Sequence, residues 1–279
     1  MIYPAEYKTE KFHNNTLILI NSCDAYSDVL SIMIKSLEVN WSNNPFKMVI
    51  NTESNKSIWV KNKVKWGVRL LETLSELNCD YIITLMDDFI LEEVVNMDLI
   101  YKALSVMDED PSIAVFYLAH SESKTVTDGD YYQMDLAKES VLNCHPAIWR
   151  RKELINMTKS YDNPWSWETF GSYRAVKSIK KFCMVSSKSL DVYKYKSETG
   201  GAIYRGLWVK NVVEPWIHNY NIKIDLDKRG ILEHNKIIKR SIKWKLNFLY
   251  LGFRSMGFGM IIYIYNHYTF LPSRKSKGS

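Results

Sequence analysis

The sequence predicts an α/β protein built on a mainly parallel central sheet with helices on both faces. Three observations point there. The runs TLILIN, FKMVIN, YIITLM and IAVFYL are rich in branched and apolar residues and too short for helices, so they read as strands. Between them lie stretches with apolar residues at helical spacing, and this alternation implies parallel strands joined by crossover helices. The first three runs end in polar or acidic residues: Asp24, Asn51 and the adjacent pair Asp87 and Asp88. Open sheets of this kind bind ligands beyond the carboxyl ends of their strands.

In chain order, the first strand covers residues 16–21. The loop SCDAYSD follows, and then a helix starting at Ser27 or Asp28, either an acceptable N-cap, and running to Trp41. Residues 46–51 form the second strand, 66–77 (WGVRLLETLSEL) a helix, and 81–86 the third strand. A helix over 98–107 and a strand over 113–118 continue the pattern. The polar stretch HSESKTVTDGDYYQ, 120–133, reads as a loop, and SETGGAIYRGLW, with two consecutive glycines, as a flexible or tightly turned one.

With 279 residues and 46% hydrophobic content, the chain can bury the core of one large domain or two small ones. Nine Trp and eighteen Tyr are a surplus suited to carbohydrate or membrane-interface surfaces, or to a Tyr-rich core and rim. The net charge of +6 is concentrated at the end: Lys236, Lys239, Arg240, Lys243, Lys245, Arg254, Arg274, Lys275 and Lys277 meet no Asp or Glu. This favours an anionic surface as partner, and no nucleic-acid-binding module is present. Segment 236–279 alternates these charges with LNFLYLGF and MGFGMIIYIY. It fits an interfacial helix or a helical pair capping the core, because Arg254 and polar residues interrupt it before a membrane span accumulates. Four widely spaced cysteines, at 23, 79, 144 and 183, imply reduced thiols. With no signal-like N-terminus, the expected location is the cytoplasm, at the inner face of the membrane.

Two adjacent carboxylates at a strand end repel one another unless a cation relieves them. Mg²⁺ or Mn²⁺ held by one or two carboxylates completes its shell with water and phosphates, so Asp87 and Asp88 suit a diphosphate ligand. The bland alternative is a turn-capping Asp87 beside a solvent-facing Asp88. LINSCDAYSD, the strand ending NTE, the helix WGVRLLETL and the strand ending MDDF together resemble bacterial glycosyltransferases of the GT-A fold, of the capsule, O-antigen and exopolysaccharide type. The resemblance covers about residues 14–232 and is strongest over 14–91. It implies a catalytic domain over 1–235, with a nucleotide-sugar half (14–118) and an acceptor half (119–235).

The resemblance assigns roles by position. Asp88 would ligate the metal and diphosphate, with Asp87 near the ribose or donor sugar. Met86 stands where a strict DxD motif has its first acid, which weakens the hold on Mn²⁺ or Mg²⁺. Asp24 would meet the nucleotide base, and Asn51 and Arg69 would complete the donor site. In PWSWETFGS, Glu168 would be the general base, with Trp165 and Trp167 able to stack on an acceptor sugar and to raise the carboxylate's pKa by desolvation. His145, His218, Arg150, Arg151 and Arg229 could contact acceptor, metal or phosphate, although each also reads as an ordinary structural or surface residue.

The expected function is transfer of a sugar, with inversion, from a nucleotide-diphosphate donor, UDP favoured, to a saccharide or lipid-linked saccharide. The alternative is a non-catalytic, membrane-associated scaffold or saccharide-binding protein on the same core. Nucleotidyl transfer is weaker, because no glycine-rich, Lys-bearing phosphate loop follows the first strand.

Overall fold

The computed structural model describes residues 5–54, 65–120, 129–136, 141–232 and 241–269. After α1 (Ala5–His13), β1 (Thr16–Asn21) pairs in parallel with β2 (Lys47–Asn51) on one side and β3 (Tyr81–Met86) on the other. The connections are α2 (Ser27–Asn40) and α3 (Trp66–Glu76), and α4 (Met97–Glu109) leads from β3 to β4 (Ile113–Tyr117). Ile18, Leu19 and Ile20 point alternately to opposite faces of the sheet, yet all are fully buried, so both faces are covered. In α3 the buried residues Gly67, Leu70 and Leu74 recur at helical spacing, which is why that stretch folds as a helix against the sheet.

The second half departs from simple alternation. β5 (Tyr131–Gln133), β6 (Ala147–Arg150) and β7 (Lys181–Val185) complete a seven-stranded sheet of order β2-β1-β3-β6-β4-β7-β5. β6 runs antiparallel between β3 and β4 and has no counterpart among the expected strands. β5, antiparallel on β7, takes up the end of the segment expected as loop, while residues 121–128 lie outside the described residues. The reversal of β6 has a positional consequence. Thr84 near the end of β3 pairs with Ala147 at the start of β6, so residues 143–146 arrive at the edge where β1, β2 and β3 end.

After β6 come α5 (Arg151–Met157) and α6 (Pro164–Val176). The start of α6 is sharply defined by Pro164 in its first turn and by a reciprocal capping pair, Asn163 with Ser166. Gly67 N–H bonds the Asp162 carbonyl at 3.0 Å, and a Cβ at Gly67 would lie 2.2 Å from the Lys159 carbonyl oxygen. Glycine there lets α3 abut the turn that launches α6. A hairpin, β8 (Ile203–Tyr204) and β9 (Leu207–Trp208), and α7 (Lys210–Tyr220) follow.

The tail forms two helices, α8 (Ile242–Met256) and α9 (Gly259–Thr269), folded on α6. Phe170 of α6, Leu251 and Met260 are buried together, with Trp165 and Phe248 packed around them. The inner faces of α8 and α9 therefore cap the core through a satellite cluster. Their outer faces carry exposed apolar side chains. No helix among the described residues is long and apolar enough to cross a membrane. Lys236, Lys239, Arg240, Arg274, Lys275 and Lys277 lie outside the described residues.

Candidate active site

The carboxyl ends of β1 and β3 meet through side chains. Ser22 Oγ donates to Asp87 Oδ2 at 2.6 Å, and the Asp87 N–H bonds the Asn21 carbonyl at 3.1 Å. Asp87 is 4% exposed, and burial pushes its pKa up to about 6 despite the Ser22 hydrogen bond. Asp88 is half-buried. Burial first, then the neighbouring Asp87 charge, push its pKa up to about 8, with a smaller push from Glu168. These are the consequences expected of like charges held in a desolvated place.

A later segment of the chain, just ahead of β8, closes over Asp88. The Ala202 N–H bonds the Asp88 carbonyl at 2.7 Å. Gly201 has φ +101°, and a Cβ there would sit 2.7 Å from the Asp88 carbonyl oxygen and 3.1 Å from its Oδ2. Of the paired glycines, Gly201 thus serves close backbone approach to Asp88, while a Cβ at Gly200 would meet open space. Gly201→Ala is expected to displace Asp88 and to destabilise the fold by roughly 1–3 kcal/mol. Urea unfolding checks the stability, and an unchanged midpoint would argue against this packing.

From the opposite half of the chain, Glu168 on α6 reaches the same edge. Its Oε1 accepts the Cys144 N–H at 2.7 Å, just ahead of β6. Burial raises its pKa above the usual glutamate value, with the Cys144 N–H working against the rise. His145 beside it is held neutral, its pKa pushed down to about 4 by burial. Tyr195 lies in this neighbourhood, stacked on Phe89 at 4.4 Å and edge-on to His145 at 6.0 Å; burial first, then the charges of Asp88 and Glu168, raise its pKa.

Next to the carboxylates is a cleft of about 240 Å³, lined among others by Ser22, Cys23, Tyr26, Glu53, Trp66, Arg69 and Asp87. Arg69 is 2% exposed and donates to Glu53 Oε1 at 2.5 Å and to the Ser22 carbonyl at 2.7 Å. It lines the cleft, and its guanidinium is engaged by the protein. Arg229 binds Asp28 at 2.5 and 2.9 Å and the Ala25 carbonyl, and stacks over Tyr26 at 4.3 Å. It therefore anchors the loop after β1 to the later part of the chain. Asp28 thus holds Arg229 while its Oδ1 also accepts the Val29 N–H in the first turn of α2 at 3.0 Å, the N-cap itself being Tyr26.

Several expected residues stand elsewhere. The Asp24 carboxylate is occupied by Ser54, through the backbone N–H at 3.0 Å and the hydroxyl at 2.6 Å, so it ties two loops together instead of lining the cleft. Asn51 is buried, bonded to Asn21 and Thr73 at 3.0 and 3.2 Å, and spaces β1, β2 and α3. Trp167, 4% exposed, packs edge-on to Trp66 and Trp149, which leaves no face for a sugar. Trp165 packs on Trp244 and Phe248 of α8 at 4.8 and 5.0 Å, so its partner is the tail rather than an acceptor. Arg150 and Arg151 bond carbonyls of Ile113, Asp110, Cys79 and Leu74 near the opposite edge of the sheet, too far round to meet a diphosphate at Asp88. His218 is exposed in the last turn of α7. Glu53 and Tyr195 were not singled out by the sequence; the only signal for Glu53 was its place in the strand ending NTE.

No cluster of three His, Cys, Asp or Glu able to hold a metal exists among the described residues. Asp87 and Asp88 still offer oxygen donors, the kind a hard divalent ion takes when its remaining ligands are water and phosphate.

No protein-family model and no curated protein sequence matches the chain. Among solved structures, S. aureus TarS 1–349 is 9% identical, with a TM-score of 0.42 over 62% of this chain; the chain spans 58% of that structure. The same protein in complex with UDP-GlcNAc is 8% identical, with a TM-score of 0.42, over 77% of this chain and 69% of that one. A cytidylyltransferase from Leptospira borgpetersenii is 12% identical, with a TM-score of 0.35, over 81% of this chain and 99% of its own. Likenesses this distant assign no residue a role.

Proposed function

We propose that the protein is a GT-A-type glycosyltransferase of cell-surface polysaccharide assembly. It would move a sugar from a nucleotide-diphosphate donor, UDP-linked by preference, to a saccharide or lipid-linked saccharide at the inner membrane face. The observation that carries this reading is the convergence of Asp87 and Asp88, at the end of β3, with Glu168, on α6, at one sheet edge beside a cleft. The motif resemblance over residues 14–91 adds to it.

In this reading the cleft between Cys23, Tyr26, Glu53 and Arg69 takes the nucleoside. Asp88, with Asp87 behind it, would hold Mn²⁺ or Mg²⁺, and a bound ion would neutralise charge on the departing diphosphate. Glu168 takes the proton of an acceptor hydroxyl as its oxygen bonds the anomeric carbon and the bond to diphosphate breaks. Attack in line inverts that carbon. The raised pKa of Glu168 improves it as a base, and the Cys144 N–H fixes its orientation.

A thermal-shift screen of UDP, GDP, CMP and dTDP, each with Mn²⁺ or with EDTA, tests the donor site. The expected outcome is stabilisation by one nucleotide, dependent on the metal and lost in Asp88→Asn. Met86 in place of a first acid keeps one other reading open, a non-catalytic, membrane-associated scaffold or saccharide-binding protein; slow hydrolysis of a nucleotide-sugar would eliminate it, because a binding module leaves the donor intact.

A further inference from the structure

The outer face of the tail helices is unlike the rest of the surface. Along α8 the exposed residues Ile242, Leu246, Leu249, Tyr250 and Phe253 follow at i, i+4, i+7, i+8 and i+11, one stripe along the helix. The inward residues Trp244, Phe248 and Leu251 form a second stripe on the opposite side, packed on α6. α8 is thus apolar on two faces, only one of which is covered by the described residues. Across the turn, Phe258 is 88% exposed, and Ile261, Ile262 and Tyr265 extend the outer face along α9.

The charges sit on the shoulders of that stripe. At roughly 100° per residue, Lys243 and Arg254 fall to one side of the line through Leu246 and Phe253, and Lys245 falls to the other. Residues 242–269 contain no Asp or Glu. An apolar stripe bordered on both sides by cations is the pattern of a helix lying in a membrane interface, with its apolar side chains among the acyl chains and its cations at the headgroups. A second copy fits poorly, since a two-fold pairing of this face would set cations of one sign against themselves.

We propose that the outer face of α8 and α9 is a docking surface for an anionic lipid bilayer. α8 packs directly on α6, the helix that carries Glu168, so docking would place that helix one layer from the lipid. That a lipid-borne acceptor is delivered there rests on the transferase reading; the docking does not.

The test is co-sedimentation of the full chain with vesicles of phosphatidylcholine alone or mixed with phosphatidylglycerol. Leu246 and Phe253 are 62% and 44% exposed, so the double variant Leu246→Glu, Phe253→Glu keeps the fold, which circular dichroism and thermal melting verify. Binding to the anionic vesicles is expected to fall roughly tenfold or more in that variant, and by about fivefold for each charge removed in Lys243→Gln, Lys245→Gln. No sedimentation with either vesicle, or binding indifferent to the double variant, overturns the proposal. Light scattering that finds a dimer abolished by the same variant, with no vesicle binding, also overturns it and assigns the face to a second copy. These measurements do not depend on turnover, so their failure is separate from failure of the transferase reading.

Discussion

Glu168→Gln is expected to lower sugar transfer by about 10²–10⁴-fold while nucleotide binding stays at the wild-type level. Glutamine keeps the shape and still accepts the Cys144 N–H through its amide oxygen, so the backbone contact that positions residue 168 survives. Only the ability to take a proton is lost. A pH profile distinguishes this from a structural effect. Because burial raises the Glu168 pKa, the basic form accumulates above the ordinary glutamate range, and wild-type kcat/KM should climb through that raised pKa. The variant's residual rate should lack that limb. Turnover within a few fold of wild type would remove Glu168 from the chemistry, whatever the screen shows for the donor site.

Asp88→Asn is expected to abolish metal-dependent nucleotide binding and, at the same time, to make the ligand-free protein more stable. The folded pKa, about 8, lies above the ordinary 3.8, so the neutral carboxyl is the form the fold favours. Its contribution to stability is complete below 3.8 and is lost as pH rises through about 8, where the folded protein must finally carry the charge. The variant's advantage should therefore be near zero in acid and grow across that window. Discounting the usual 1.4 kcal/mol per unit for a carboxyl partly open to water, it should reach on the order of 1–2 kcal/mol. Urea unfolding at pH values below, within and above the window measures it. A variant less stable than wild type throughout would mean that Asp88 is a structural cap and not a strained ligand.

Much of the fold was legible because buried parallel strands announce themselves locally. TLILIN, KMVIN, YIITLM and IAVFY became β1 to β4 within a residue or so of their expected bounds. The site was legible in part for the same reason, since a strand's end is a fixed place in an open sheet and Asp87 and Asp88 mark one. The neighbours of such an end are another matter. Asp24 and Asn51 occupy equivalent strand ends, but the one is held by Ser54 and the other by Asn21 and Thr73. The paired tryptophans misled because an aromatic run next to an acid looks the same whether it faces a ligand, the core or another helix.

The sequence by itself determined the α/β class, the first four strands, the carboxylate pair at the end of the third and the one-signed charge of the tail. Each of these is written in residues close together along the chain. Only the tertiary structure decided that β6 runs backwards between β3 and β4, bringing Cys144 to the sheet edge where it holds Glu168 near Asp88. It also decided that Arg229 clamps the loop after β1 and that α8 hides one apolar face while exposing the other. The reason is physical: strand direction, hydrogen-bond partners across two hundred residues and the face a helix buries depend on what packs against it, and local propensity is indifferent to all three.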